Sequence, residues 1–277
     1  MTTAVLKFGG EVIADARALA AVLADVAKLA ASGWKLAICH GGGPQAGALQ
    51  ERLGLVPTKV AGRRVTDAAT LQVMKYVLAG ELSVDVVAAA LAAGLTGAVG
   101  VSGVSAGLVS ARRRPPVKVS GGGDAPVDFG LVGDVVEIRT ALLHHLWAGG
   151  YTPVINTLGV DLIPVGDTCP VYNINADTVS SAIAGALRVD HLFLMTGVPG
   201  VLRDKDDPST RIDRLTAADA RAAIESGVIV GGMIPKVEEA LDNLKLGIGA
   251  VHILGAGAGV LQAEAAAPGS VGTVLVA

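Results

Sequence analysis

The sequence predicts an α/β protein built on a mainly parallel sheet with helices on both faces. Three observations predict it. Short apolar runs ending in glycine alternate with alanine-rich stretches over most of the 277 residues. Hydrophobic residues make up 51% of the chain but aromatics only 3%, so Ala, Val, Leu and Gly must build the core, with alanine favouring helices and valine strands. The order strand–helix–strand also recurs, as a parallel sheet requires when its crossovers lie on the two faces.

In chain order, AVLKF (4–8) reads as a buried strand and ARALAAVLADVAKLAA (16–31) as a helix closed by Gly33. KLAIC (35–39) is a second strand running into HGGGP. The rhythm breaks at 112–138, where two β-rich runs are separated by glycine, aspartate and proline; this predicts an antiparallel hairpin with a long turn, projecting from or lying over the sheet edge. The pattern resumes with YTPVIN (151–156) as strand, ADTVSSAIAGAL (176–187) as helix and HLFLM (191–195) as strand. PKVEEALDNLKLG (235–247) is a helix, and AVHIL (250–254) the strand after it. A lobe boundary is expected near residue 174, where a second run of strand–helix units begins.

Composition removes several function classes. The net charge of −3, from 22 Lys plus Arg against 25 Asp plus Glu, leaves no basic footprint for nucleic acid or an anionic membrane. No apolar run approaches the ~20 residues that span a bilayer. The start MTTAVLKFGG lacks a signal peptide's basic and apolar regions, so a soluble, cytoplasmic protein is expected. Cys39 ends an apolar run and reads as a small buried hydrophobe. Neither it nor Cys169 stands in a metal-binding spacing, and no metal site is expected.

The placement of glycine carries the chemistry. In KFGG (7–10), Lys7 stands at the carboxyl end of a strand beside Gly9 and Gly10, where parallel sheets hold ligands. In HGGGP (40–44), consecutive glycines let backbone N–H groups approach an oxyanion, and the helix that follows adds positive potential. GGMIPK (231–236) ends in Lys236 at a helix start, with Pro235 suited to the first turn. Two lysines and two backbone nests are what a doubly charged phosphoryl group requires. In YNINAD (172–177), strand alternation predicts Asn173, Asn175 and Asp177 on one face, with Asp177 also suited to a helix N-cap or first turn. The asparagines can donate to a carboxylate while Asp177 holds a lysine.

Other motifs fail. The chain has neither a GxxxxGK[ST] loop nor a GxGxxG opening a helix. GVSAG (103–107) matches GxSxG, but a strand follows where a nucleophile elbow needs a helix, so it is a turn. GAGAG (255–259) is a loop, and Arg112, Arg113 and Arg114 form a solvated hairpin edge.

KFGG, HGGGP, GRRVTD (62–67), GLVGDV (130–135), YNINAD, MTGVPGVL (195–202) and GGMIPK occur in the order found in amino acid kinases, and the chain resembles that family nearly end to end. GRRVTD with NINAD favours the members that act on N-acetyl-L-glutamate. The resemblance implies a three-layer αβα sandwich. Residues 1–174 would form a lobe that binds the acyl amino acid and dimerises, and 175–277 a lobe that binds ATP, with Mg²⁺ carried on the nucleotide. It further implies that Lys7 and Lys236 stabilise the transferring phosphoryl group and that Asp177 orients both. Gly42 and Gly43, with Gly10, would donate to the γ-phosphate, Arg64 would bind a substrate carboxylate, and Asn173 and Asn175 its other polar groups. Gly9, Gly10, Thr196, Gly197, Gly200 and Met233 would contact ATP.

The activity implied is phosphorylation of the side-chain carboxylate of N-acetyl-L-glutamate. That carboxylate, with a reference pKa near ~4.3, is already a nucleophile at neutral pH and needs no added base. Two departures stand out. Gly197 occupies a place where the family usually has aspartate. Only six residues precede Lys7, which leaves no room for the extra N-terminal helix of the hexameric, arginine-inhibited members. An arginine-insensitive homodimer is therefore expected. Two alternatives remain: a relative acting on aminoadipate or glutamate linked to a carrier protein, which Arg112–Arg114 could serve, and a non-catalytic sensor of the same fold.

Overall fold

A computed structural model of the chain describes residues 1–119, 123, 125–204, 206–231 and 233–277. Its first strand, β1 (Thr3–Phe8), is apolar except at Thr3 and Lys7 and sits in the middle of the large sheet. Alternation sends Val5 into one core, with Ala37, Cys39, Val179 and Ile183, and Ala4, Leu6 and Phe8 into another, with Val22, Leu23 and Ile38. A strand covered on both faces reads as an unbroken apolar run, which is why it was legible. Cys39 is fully buried, and burial pushes its thiol up to about 12.

The short α1 (Gly10–Ala14) leads into α2 (Ala16–Ala31). Asp15 caps α2 by accepting from the Arg17 and Ala18 N–H groups, and Leu19, Val22, Leu23, Val26 and Leu29 form its buried stripe. The chain then continues through β2 (Lys35–His40) and α3 (Gly43–Arg52). Helix α4 (Ala68–Lys75) runs through a π-helical stretch, Tyr76–Glu81, into α5 (Leu82–Ala92), and β3 (Ala98–Ser102) follows. Next come α6 (Ala141–Ala148), β4 (Thr152–Asn156), α7 (Ala176–Leu187) and β5 (His191–Thr196). The chain ends with β6 (Arg214–Thr216), α8 (Ala217–Glu225), α9 (Met233–Lys245), β7 (Ala250–Gly255), α10 (Val260–Ala266) and β8 (Thr273–Val276).

These eight strands form one sheet in the order β6-β8-β7-β5-β1-β2-β4-β3, parallel throughout except for the β7–β8 pair. With helices on both faces it is the three-layer arrangement expected. From β1 the chain first builds β2, β3 and β4 to one side, then returns to add β5 on the other. The carboxyl ends of β1, β2 and β5 therefore surround a topological switch point, where such sheets open a crevice.

The expected hairpin is present. Val109–Arg113 pairs antiparallel with Gly133–Ile138, and a further bridge joins Val117 to Val127. Residues 120–122 and 124 of its turn lie outside the described residues. Strands Leu158–Val160 and Val171–Asn173 complete a second sheet with the hairpin. GVSAG forms a turn, as expected, with a 3-10 segment at Ser105–Gly107 before the strand. Two expectations need correcting. The strand through YNINAD stops at Asn173, so alternation does not extend to Asn175 and Asp177; Asn175 is the N-cap of α7, its side chain accepting from the Asp177 N–H at 2.9 Å. Helix α9 starts at Met233, two residues early, and Pro235 sits inside its first turn, where no intrahelical donor is missed. Gly232 of GGMIPK lies outside the described residues.

Candidate active site

A cavity of about 390 Å³ opens at the carboxyl ends of β1 and β2. Lys7 lines it, and its ammonium meets Asp177 Oδ1 at 2.8 Å, with the lysine side chain only 13% exposed. Register explains the pairing: Lys7 lies on the face of β1 that packs against α7, and Asp177 is in the first turn of that helix, where the dipole favours a carboxylate. In a partly desolvated site the charge of Lys7 is felt more strongly than on the open surface.

The glycine segments supply donors around it. Gly9 and Gly10 open α1, and Gly42 and Gly43 open α3, so two helix N-termini converge on the cavity. The convergence is close: a Cβ on Gly10 would lie 2.5 Å from the Pro44 ring, and one on Gly42 would lie 2.4 Å from the Leu82 side chain. Gln45 ties the two helices together by donating to the Gly10 carbonyl at 2.9 Å. His40 is buried beneath this corner with Nδ1 3.2 Å from the Gly41 oxygen; burial pulls its pKa down to about 4 despite that bond, so it is neutral at pH 7.

Arg64 reaches the cavity from a tight hairpin, Lys59–Val60 with Arg63–Arg64, whose turn puts Ala61 and Gly62 at positive φ. It donates to Gln50 Oε1 and, at 2.9 Å, to the Gly43 oxygen. Both acceptors are neutral and no carboxylate among the described residues forms an ion pair with the guanidinium, so its charge stands beside the cavity, and burial lowers its pKa from the ordinary arginine value. Asn173 and Asn175 also line the cavity; Asn173 Nδ2 donates to Thr66 Oγ1 at 3.2 Å.

Not every expected residue gathers here. Thr196, Gly197, Gly200, Met233 and Lys236 fall outside the cavity lining. The Thr196 hydroxyl closes a small turn with Val198, and Gly200 packs so closely that a Cβ would meet Thr273 Oγ1 at 2.6 Å. Gly197 is exposed, with open space where a side chain would stand, so packing does not explain the missing aspartate. Lys236 is exposed on the first turns of α9.

Sequence reasoning missed two charged groups. Arg114, expected on a solvated edge, lines the cavity instead. Glu239, one helical turn beyond Lys236, sits half-buried near the Lys7–Asp177 pair. Burial, and then the charge of Asp177, hold its carboxyl up at about 7, with Lys7 pulling the other way. A raised folded-state pKa means that the fold prefers the neutral carboxyl, a preference present below 4.5 and lost as pH rises through about 7. Thermal melts should therefore find the wild type losing stability relative to Glu239→Gln between pH 5 and pH 8; parallel pH profiles would exclude this.

The sequence profile of the amino acid kinase family matches residues 2–255. The chain is 51% identical over 279 residues to the acetylglutamate kinase of Anaeromyxobacter dehalogenans, covering 100% of both proteins. It is 50% identical to that of Sorangium cellulosum, over 98% of this chain and 94% of the relative. Among solved structures, an N-acetylglutamate synthase from Neisseria gonorrhoeae, complexed with coenzyme A and N-acetyl-glutamate, superposes with a TM-score of 0.79 at 23% identity; the match covers 100% of this chain and 59% of that one. A carbamate kinase from Giardia lamblia bound to AMP-PNP gives 0.68 at 18% identity, over 99% and 98% of the two chains. At these identities the two structures speak for the fold alone.

Proposed function

The chain belongs to the amino acid kinase family, and we infer on that premise that it transfers the γ-phosphoryl group of ATP to the side-chain carboxylate of N-acetyl-L-glutamate. The names carried by its full-length relatives identify the acceptor. The observation that carries the chemistry is Lys7, pinned by Asp177 at 2.8 Å beside the N-termini of two glycine-opened helices. The product is the acyl phosphate N-acetyl-L-glutamyl 5-phosphate, an intermediate of arginine biosynthesis.

Catalysis here is positioning and charge neutralisation. A carboxylate oxygen of the acceptor forms a bond to the γ-phosphorus while the bond to the bridging oxygen breaks and ADP leaves. Lys7 and the N–H groups of Gly10, Gly42 and Gly43 lie where charge gathers on the moving group. Asp177 orients Lys7. Lys236 would act from the start of α9; Glu239, one turn further on, already feels the charges of Lys7 and Asp177, which supports an approach of that helix to the cavity. Mg²⁺ enters on the ATP phosphates as part of the donor substrate.

We assign acceptor binding to residues 1–174, which supply Arg64, Asn173 and the glycine nests, with Asn175 beside them, and nucleotide binding to residues 175–277, with Gly9 and Gly10 contributing from across the sheet. Thr196, Gly197, Gly200 and Met233 are proposed to contact the nucleotide, which the carboxyl end of β5 and the start of α9 would flank. A homodimer is proposed as well, supported by exposed Tyr76 in the π-helical stretch and exposed Val84 and Leu91 on α5; sedimentation as a monomer would contradict it. Use of ATP supports a cytoplasmic setting, and no helix among the described residues is long and apolar enough to cross a membrane.

Incubation with ATP, Mg²⁺, hydroxylamine and N-acetyl-L-glutamate should yield the acyl hydroxamate, and its absence would overturn the reading. In the same assay Arg64→Ala should raise KM for the amino-acid substrate by roughly 10- to 100-fold, the worth of a charge-assisted hydrogen bond, with KM for ATP little changed. The opposite pattern would invert the lobe assignment.

A further inference from the structure

The three consecutive arginines of the hairpin do not share one environment. Arg112 is exposed, and Arg113 is 53% exposed and turns to Asp128 at 3.0 Å. Arg114 is only 20% exposed and lines the cavity. Its place is fixed in three ways. Its Nε and Nη2 both meet Asp134 Oδ1 at 2.7 Å, and its backbone N–H donates to the Val132 oxygen at 2.8 Å. Pro115 and Pro116 then follow, holding the chain extended. Two bonds to one carboxylate oxygen use the Nε–Nη2 edge of the guanidinium. Both N–H groups of Nη1 remain uncommitted among the hydrogen bonds of the described residues.

We propose that Arg114 is a specificity-determining residue that, together with Arg64, holds the acceptor's non-reacting carboxylate. The inference rests on the carboxylate-kinase reading of the site and deepens it. A dicarboxylate acceptor brings one carboxylate to Lys7 and the glycine N–H groups and must present the other elsewhere. Arg64 spends its Nη1 and Nη2 bonds on neutral oxygens, and Arg114 spends one edge on Asp134. Each keeps further N–H donors, and a planar fork matches a carboxylate in geometry as well as charge. Asp134 and the two prolines set Arg114 in position before any ligand arrives, which reduces the ordering cost of binding. Phe129 and Val132, from the same hairpin, wall the cavity with apolar surface. An acceptor without the second carboxylate would leave the remaining donors of both guanidiniums without an acceptor anion, which is discrimination by omission.

The experiment compares kcat/KM for N-acetyl-L-glutamate with that for 4-acetamidobutyrate, which has the reacting carboxylate and the acetamide but no second carboxylate. Arg114→Leu should lower kcat/KM for the dicarboxylate by about 10- to 100-fold, mainly through KM, as loss of a charge-assisted hydrogen bond implies. The monocarboxylate should be almost unaffected, and Arg114→Lys should recover part of the loss. An equal fall for both acceptors, including complete inactivity of the variant, would make Arg114 a structural brace and overturn the proposal, as would no change for either. If the wild-type protein phosphorylates neither acceptor, the reading of the site falls first, and the assignment of Arg114 with it.

Discussion

Replacing Lys7 by alanine lowers kcat at least ~100-fold, the usual cost of removing one preorganised contact to a charge that develops in the transition state. The ammonium is 13% exposed and held at 2.8 Å by Asp177, so it has little freedom to act elsewhere. The same change leaves Asp177 beside Glu239 without its counter-ion, adding negative charge where two anions must meet. KM for either substrate should move much less than kcat, because the contact strengthens as charge shifts toward the γ-oxygens. Lys236→Ala should produce a loss of similar size, and unchanged turnover would remove Lys236 from the site. Single-turnover formation of ADP separates chemistry from product release; a chemical step within about tenfold of wild type would sink the role given to Lys7.

Glu264→Ala should destabilise the fold by about 3–5 kcal/mol, a large part of the ~5–15 kcal/mol that holds a typical domain together. Glu264 is fully buried and accepts from the N–H groups of Gly269 at 2.7 Å, Val271 at 3.2 Å and Gly272 at 2.8 Å, and from His252 Nδ1 at 2.8 Å. His252 Nε2 in turn lies 3.0 Å from His191 Nδ1, which Trp34 and Phe193 flank by stacking. Burial, and then the neighbouring His252, hold the His191 pKa down to about 4, so the His191 ring is neutral at pH 7. Arg211 secures the other side of the same loop through the oxygens of Gly269, Ser270 and Gly272. Removing the carboxylate leaves several buried donors without an acceptor. A melting temperature lower by roughly 10 °C is expected for a chain of this size, and a shift under ~2 °C would contradict the argument. Burial raises the Glu264 pKa, but its hydrogen bonds outweigh that and bring it down to about 2. Its stabilising contribution is therefore complete above 4.5 and lost as pH falls toward 2.

Much of the fold was legible because its central strands are buried on both faces, and β1, β2 and β5 each begin or end within a residue of the run that announced them. Helices α2 and α7 match their predicted spans because a capping Asp15 or Asn175 precedes a periodic apolar stripe. What stayed hidden depends on tertiary placement. Nothing in three consecutive arginines says that the third turns inward; that follows from Asp134 on the paired strand. Glu239 belongs to a polar helix face that looks solvated until the fold brings it within range of the charges of Asp177 and Lys7. Glu264 finds its donors only when the chain folds back after α10. Of the residues singled out from the sequence, Lys7, Gly9, Gly10, Gly42 and Gly43 line the cavity, because backbone demand and charge leave marks in the sequence, whereas Lys236, Gly197 and Gly200 do not.

The strand order also governs how the molecule is assembled. The partner of β1 on one side, β2, is complete at residue 40, but its other neighbour, β5, is complete only at residue 196. At about 5–20 residues per second of synthesis, the central strand of the finished sheet is an open edge for roughly 10–30 s. That edge is largely apolar, the kind that recruits other chains. Lys7 likewise has no Asp177 until residue 177 is made, so the oldest part of the chain acquires its ion-pair partner late.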